Sequence, residues 1–319
     1  MPLPPQQTPP TIVSPAPSEP DAENALLDAY DWGNPLPPTP KLKGAAALEY
    51  QWLRAAATFD PGRGLPDDPF TAGRGRTEAE ALRRLFKAPE GRIGDAVKTL
   101  SLHEAGTALA LWRWGQVQVR NGRFDASLRR SWEDRLLGAG PDLTRGYALR
   151  HALCWALAEQ DEVRLSGIRS VADAMAEDTL KGFQRLFGLL GGPMPILRLW
   201  TLPGLDYRDV RLDQLGGVRT WICPLEDGPI PEFPTGTNWI IPSASGGLDE
   251  RDASLSEPLL KEGQALAERL RPAGRSAFFA PSRAAFERLG LVWFPILIEL
   301  DGKGDIRVIH MGDAAPQRP

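Results

Sequence analysis

The sequence predicts an α+β protein with two domains, a helical domain followed by a C-terminal α/β domain, preceded by a disordered Pro-rich tail. Three observations predict this class. Prolines cluster and apolar residues are sparse in residues 1–42, apolar residues recur at helical spacing in residues 43–190, and short runs rich in Val, Ile, Trp and Phe follow in residues 191–319. A chain of 319 residues that is 42% hydrophobic is long enough for two ordinary cores.

The tail is predicted to be disordered or polyproline II. Its prolines cluster at Pro4, Pro5, Pro9, Pro10, Pro35, Pro37, Pro38 and Pro40. Such a segment buries too little apolar surface to offset the entropy lost on ordering. One apolar island, which contains Leu26, Leu27 and Tyr30, predicts a short helical turn that docks on a partner or on the body of the protein.

Helical periodicity begins after the tail. Leu48, Trp52 and Ala56 lie at i, i+4 and i+8, so they predict one apolar stripe on a helix. Thr77 followed by Glu80 has the spacing of a capping box and predicts the start of the next helix. Loops of Gly, Pro and Asp recur between these segments, which favours a compact domain of short helices.

Residues 108–137 resemble one helical hairpin of the tetratricopeptide type. The residues that carry the resemblance are Trp112, Gly115, Gly122, Phe124 and Ser127. The resemblance implies that Gly115 lets two helix backbones approach closely and that Gly122 closes the turn in a left-handed conformation. A single repeat cannot bury its own faces, so we expect this hairpin to belong to a helical bundle.

Shorter apolar runs follow Gly191 and Gly192. PILRLWTL, VRTWICPL and NWIIPS predict strands that are bounded by Pro or Gly. Reading from Asn238, the predicted order is strand, helix, strand, helix, strand, strand. The last two strands, FPILIEL and DIRVIHM, form a hairpin around DGKG.

This order, together with the Phe294-Pro295 step, resembles the thioredoxin-like fold over residues 238–315. The resemblance implies a cis-proline at Pro295, a turn at Gly302 and a glycine, Gly312, after the returning strand. It also implies that a redox cysteine pair lies between the first core strand and its helix, where this chain has serines and carboxylates but no thiol. Thioredoxin-type electron transfer at that position is therefore excluded.

The chain has two cysteines. Cys154 and Cys223 are both predicted as buried small hydrophobes, the first on a helix and the second on a strand. The alternative is a reactive Cys223, with Arg219 as the nearest basic residue in sequence that would stabilise its thiolate. Exposure of Cys223 near Pro295 would favour the alternative, and burial within a sheet would rule it out.

Composition and motifs limit the classes of function that remain for this protein. The net charge of −4 argues against nucleic acid as a partner, although five arginines, Arg120, Arg123, Arg129, Arg130 and Arg135, lie on the predicted hairpin. No Gly-rich phosphate fingerprint, nucleophile elbow or His cluster is present, so we expect neither a cofactor nor a metal site. No signal peptide or membrane-spanning run is recognised and the cysteines are far apart, which predicts a cytoplasmic protein.

The leading hypothesis is a non-catalytic protein-interaction, scaffold or assembly role with another protein as partner. Helical hairpins and redox-inactive thioredoxin-like domains both serve commonly as docking surfaces, so this hypothesis follows from the two resemblances. Because Trp is enriched at binding hot spots, the candidate binding residues are Trp112, Trp114, Trp293, Phe294 and Pro295. The alternative is an enzyme, a single-cysteine thiol oxidoreductase or peroxidase that uses Cys223 with Arg219.

Overall fold

The computed structural model describes residues 19–31, 34–63, 65, 73–140, 142–169, 177–193, 195–211, 217–225, 230–243, 257–273, 276–281 and 284–316. The chain divides into two compact units, Met1–Arg145 and Gly146–Pro319. The described helices are α1 (Glu19–Asp31), α2 (Ala45–Thr58), α3 (Gly73–Phe86), α4 (Glu90–Thr99), α5 (Ala105–Arg120), α6 (Ala126–Ala139), α7 (Asp142–Ala158), α8 (Glu162–Arg169), α9 (Glu177–Leu189), α10 (Glu257–Leu270) and α11 (Ala284–Arg288). The strands are β1 (Leu197–Leu202), β2 (Tyr207–Val210), β3 (Arg219–Ile222), β4 (Thr237–Pro242), β5 (Ala277–Ala280), β6 (Ile296–Leu300) and β7 (Ile306–Met311).

The mixed α and β content predicted from the sequence is confirmed. The apolar island of the tail, which was predicted to form a short helical turn, lies in α1 (Glu19–Asp31), where Leu26 is fully buried; the helix is longer than the predicted turn. One local prediction is wrong. The predicted capping box does not begin α3, because that helix starts at Gly73 and Thr77 lies inside it. Residues 1–18 of the predicted tail lie outside the described residues.

In the first unit, α2 packs closely against α5. A Cβ atom at Gly106 would lie 2.8 Å from Cδ1 of Trp52, so the indole ring rests directly on the backbone of α5. The Nε1 atom of Trp52 donates a hydrogen bond of 3.0 Å to Oγ1 of Thr107. Trp52 is therefore buried with its polar atom satisfied, as a core indole requires.

The predicted hairpin is present as α5 and α6. Gly122, in the turn, has the left-handed φ of 66° that was expected of it. A Cβ atom at Gly115 would lie 2.2 Å from Cε2 of Trp132, so the close approach at Gly115 is made by this ring. Ser127, which the resemblance placed against the aromatic residue, is exposed. The tetratricopeptide resemblance itself stays a prediction.

The second unit contains one mixed sheet in the order β2-β1-β5-β4-β3-β6-β7. Strands β3, β4 and β5 are parallel, and β6 and β7 form the predicted antiparallel hairpin. One face of the sheet packs on α10 through a core that includes Trp200, Trp221 and Trp239. The order predicted from Asn238 is found as β4, α10, β5, α11, β6 and β7. The thioredoxin-like identity stays a prediction.

The division between the units falls earlier than the domain boundary that we predicted after residue 190. Helix α9 belongs with the second unit because Phe183 packs against Trp293, with ring centroids 5.2 Å apart and the rings tilted by 39°. The chain after α9 also pairs with β7, since Gly191 N donates to Ile306 O at 2.8 Å. These contacts group α9 with the second unit rather than with the first helices.

The contact between Gly115 and Trp132 predicts a strong effect of a single methyl group. We expect Gly115→Ala to lower the free energy of unfolding by about 2 to 3 kcal/mol. The Trp132 ring is buried, so it cannot move away from the added methyl group without clashing with its other neighbours. The matched control is Gly138→Ala on α6, where no atom lies within 4 Å of the added Cβ. We expect this control to be neutral or stabilising by at most about 1 kcal/mol. Equal urea midpoints for the two variants would contradict the packing argument.

Candidate functional site

The parallel strands define one edge of the sheet, which we call the carboxyl edge. It is the edge at which β3, β4 and β5 end and at which β6, antiparallel to β3, begins. Ligands of open α/β sheets bind beyond the carboxyl ends of parallel strands. Cys223 follows β3, Ser243 follows β4 and Pro295 precedes β6, so these three residues lie at the carboxyl edge.

Cys223 lies directly beyond the last residue pair of β3 and β6, which is Ile222 with Ile296. The next residues along the two strands are Cys223 and Pro295, so the register places them beside each other. Cys223 is half-buried and packs at the border of the core beneath α10. The prediction that it is buried within a strand is therefore wrong. Cys154 is buried, as predicted.

Trp293, Phe294 and Pro295 form what we call the aromatic-proline step. All three residues are half-buried, and the bond between Phe294 and Pro295 is cis, as expected. The backbone N–H of Gly312 donates to the carbonyl oxygens of both Trp293, at 3.1 Å, and Pro295, at 3.0 Å. The step is thus fixed by main-chain hydrogen bonds from the residue that follows β7.

The side chains of Trp293 and Phe294 pack against other residues of the second unit. The ring of Trp293 contacts the ring of Phe183, with centroids 5.2 Å apart, and the guanidinium of Arg150 lies 5.7 Å from its centroid. The ring of Phe294 meets Phe286 edge to face at 6.0 Å. Each side chain keeps part of its surface exposed, so the step is both rigid and accessible.

Arg219 is not near the Cys223 thiol, where the alternative thiol-enzyme hypothesis requires it. It lies four residues before Cys223 on an extended strand, a separation of about 13 Å. Its Nε forms a salt bridge of 3.2 Å with Oε1 of Glu299 on β6. Arg219 therefore sits at the opposite end of β3 and does not contact the thiol.

Ser243 is the first of the serines that lie between the first predicted core strand and its helix. It is fully buried, and its Oγ donates a hydrogen bond of 2.7 Å to Oε2 of Glu262 on α10. Its backbone N–H donates to Ala280 O at 2.9 Å. Ser243 thus ties α10 and β5 to the end of β4. The signal in the sequence was its position directly after the apolar run NWIIP; residues 244–256 lie outside the described residues.

Trp112 and Trp114, which we predicted as binding residues, belong to the core of the first unit. They are 3% and 4% exposed. Trp112 stacks on Trp132 with centroids 5.1 Å apart, and Trp114 stacks on Phe86 at 4.7 Å. Neither indole presents a surface to a partner, because the close packing of α5 and α6 encloses both.

The arginines of the hairpin also have internal roles. Arg129 is buried and forms a salt bridge of 3.4 Å with Glu133, one helical turn further along α6. Arg135 donates from Nε to Leu100 O at 2.8 Å. Arg120 and Arg123, at the end of α5 and just after it, are exposed.

Within the described ranges, no three His, Cys, Asp or Glu side chains are grouped so that they would hold a metal ion. None of the helices in these ranges is long and apolar enough to cross a membrane.

His310 on β7 has a pKa below the ordinary value of 6.5. Burial is the largest cause, because it penalises the imidazolium, and Arg307 lowers the pKa further. The carboxylate of Glu299 and a hydrogen bond with the backbone of Ala314 act in the opposite direction. The neutral imidazole is therefore favoured in the folded protein.

This lowered pKa predicts a loss of stability in mild acid. The unfolded chain binds the proton at higher pH than the folded one, so stability falls as the pH drops from above 6.5 through the folded pKa. We expect the melting temperature of His310→Gln to fall less than that of the wild type between pH 7.5 and pH 5.5, as measured by circular dichroism. Parallel losses in the two proteins would show that His310 does not contribute.

Comparisons of the chain with protein-family models, with curated proteins and with solved structures found no match. The function of the carboxyl edge is therefore inferred from its own geometry and chemistry.

Proposed function

We propose that this protein is a non-catalytic interaction or assembly protein that holds another protein at the aromatic-proline step. The observation that supports this proposal is the half-exposed Trp293, which is held at the carboxyl edge by contacts with Phe183 and Arg150. Tryptophan and arginine are enriched at binding hot spots because they bury much surface and still make polar contacts.

The rigidity of the step favours binding. Gly312 holds the carbonyl groups of Trp293 and Pro295, and the rings of Trp293 and Phe294 rest on neighbouring aromatic side chains. A partner that docks here immobilises few additional rotamers, which reduces the entropy lost on association. Val292, directly before the step, is 39% exposed and extends the apolar surface.

Site-specific photocrosslinking in cells that make the protein tests this proposal. A benzophenone amino acid placed at Val292 is expected to give a discrete adduct with one protein, and Trp293→Ala in the same chain is expected to remove it. The matched control places the same group at Val163, which is 84% exposed on α8. The proposal fails if position 292 yields no adduct, or the same adducts as position 163.

A second function, thiol chemistry at Cys223, is favoured by the register of β3 and β6. The half-buried thiol lies beside Pro295 at an edge that commonly holds active sites. In this reaction the Cys223 thiolate attacks the terminal oxygen of a hydroperoxide, the O–O bond breaks, and a sulfenic acid and an alcohol result after proton transfer. A thiol reductant then restores Cys223 through a mixed disulfide.

Peroxide titration of the native protein separates this second function from the first. If Cys223 is peroxidatic, substoichiometric hydroperoxide is expected to give a dimedone adduct on Cys223 and none on the buried Cys154, and Cys223→Ser is expected to abolish peroxide consumption. If dimedone labels neither cysteine at a tenfold excess of peroxide, the thiol function is overturned while the interaction function stands.

A further inference from the structure

The guanidinium of Arg150, on α7, is an exposed cation that lies against the aromatic-proline step. Its central carbon is 5.7 Å from the ring centroid of Trp293, and both residues belong to the second unit. Within the described ranges, Arg150 forms no ion pair and donates no side-chain hydrogen bond. A guanidinium that lies over a ring keeps its N–H groups at its own edge, so the donors of Arg150 remain available to a ligand.

A second guanidinium borders the same site. Nη1 of Arg185, on α9, donates to Arg288 O at 3.4 Å, at the end of α11. Helix α9 packs tightly against the chain that follows α11, since a Cβ atom at Gly290 would lie 2.7 Å from Gly182 O. Arg185 is exposed and, among the described residues, pairs with no carboxylate. Arg185 and Arg150 therefore place two positive charges at opposite ends of residues 288–293.

The segment between the two arginines supplies apolar surface. Val292 is 39% exposed, and Trp293 is half-buried. Glu287, which is exposed on α11, carries the opposite charge and offsets at most one of the two arginine charges. A ligand that fits this surface therefore combines an apolar side chain with a negative charge. A carboxylate is suited to it because its two oxygens match the forked N–H donors of a guanidinium.

We propose that the partner held at the aromatic-proline step is a protein segment in which an Asp or Glu lies beside an apolar residue, and that Arg150 binds its carboxylate. This inference rests on the proposed interaction function and names the chemistry of the partner. The apolar residue packs on Val292 and Trp293. The contact with Trp293 positions the guanidinium before binding, which reduces the entropy that association costs. A net charge of −4 favours an acidic protein segment over a polyanion such as nucleic acid.

The test uses the full chain with the benzophenone amino acid at position 292, in cells that make the protein. Because a carboxylate would lose its charged donor and face a like charge, we expect Arg150→Glu to lower the yield of the adduct at least about tenfold. Arg150→Lys keeps the positive charge and is expected to retain more adduct than Arg150→Gln. The matched control is Arg271→Glu, which makes the same charge change at an exposed arginine between α10 and β5. The control is expected to crosslink like the wild type.

A charge exchange separates direct binding by Arg150 from an effect on the position of Trp293. Mass spectrometry of the digested adduct identifies the crosslinked partner peptide, in which we expect an Asp or Glu beside an apolar residue. Replacing that carboxylate with Lys in the partner is expected to remove the adduct with the wild type and to restore it with Arg150→Glu. If the exchange does not restore the adduct, Arg150 does not bind the carboxylate and the inference is wrong.

The outcomes also distinguish this inference from the proposed function. If the wild type gives no adduct, or an adduct that nuclease removes, both are wrong. If the adduct forms but its yield is unchanged by Arg150→Glu, or the crosslinked peptide contains neither Asp nor Glu, the proposed function stands and this inference is overturned.

Discussion

Close contact between tryptophan rings and glycine backbone is the constraint on which both units depend. In the first unit, Trp52 rests on Gly106 and Trp132 rests on Gly115, at positions where a Cβ atom would lie within 3 Å of the ring. In the second unit, a Cβ atom at Gly263 of α10 would lie 3.1 Å from Trp200 of β1. These contacts fix the distances between α2, α5 and α6 and the position of α10 on the sheet. Protein interiors are closely packed, so they leave no room for another methyl group at these glycines.

Arginine side chains donate hydrogen bonds to carbonyl groups at the C-terminal ends of helices. Arg113 donates to Ala56 O in the last turn of α2, Arg135 to Leu100 O directly after α4, and Arg185 to Arg288 O at the end of α11. Carbonyl groups at helix C-termini have no partner within the helix, and a guanidinium satisfies them while it complements the dipole. Part of the arginine content of the chain is therefore used to complete the fold.

The position of β3 in the sheet determines which residues lie at the carboxyl edge. Sequence order places β3 before β4 and far from the C-terminal hairpin, but in the sheet β3 lies between β4 and β6. This insertion brings Cys223 beside Pro295 and sends Arg219 to the other end of the strand, where it pairs with Glu299. Ser243 and Glu262 then fasten α10 at the same edge. A rigid, half-exposed aromatic-proline step and a half-buried thiol thus share one edge.

Hydrophobic spacing in the sequence predicted helices in the first part of the chain and strands in the last part, because this spacing depends on neighbouring residues. The close approach at Gly115, the left-handed turn at Gly122 and the cis bond before Pro295 were expected from the two resemblances. Tertiary structure decided which ring fills the space at Gly115, that Trp112 and Trp114 are enclosed, and that α9 joins the sheet. It also decided that α1 docks on α2 and that Cys223 and Pro295 flank the last residue pair of β3 and β6 at one edge of the sheet. Burial and strand order depend on contacts between residues that are far apart in the chain. Local sequence patterns do not show which of these residues come into contact.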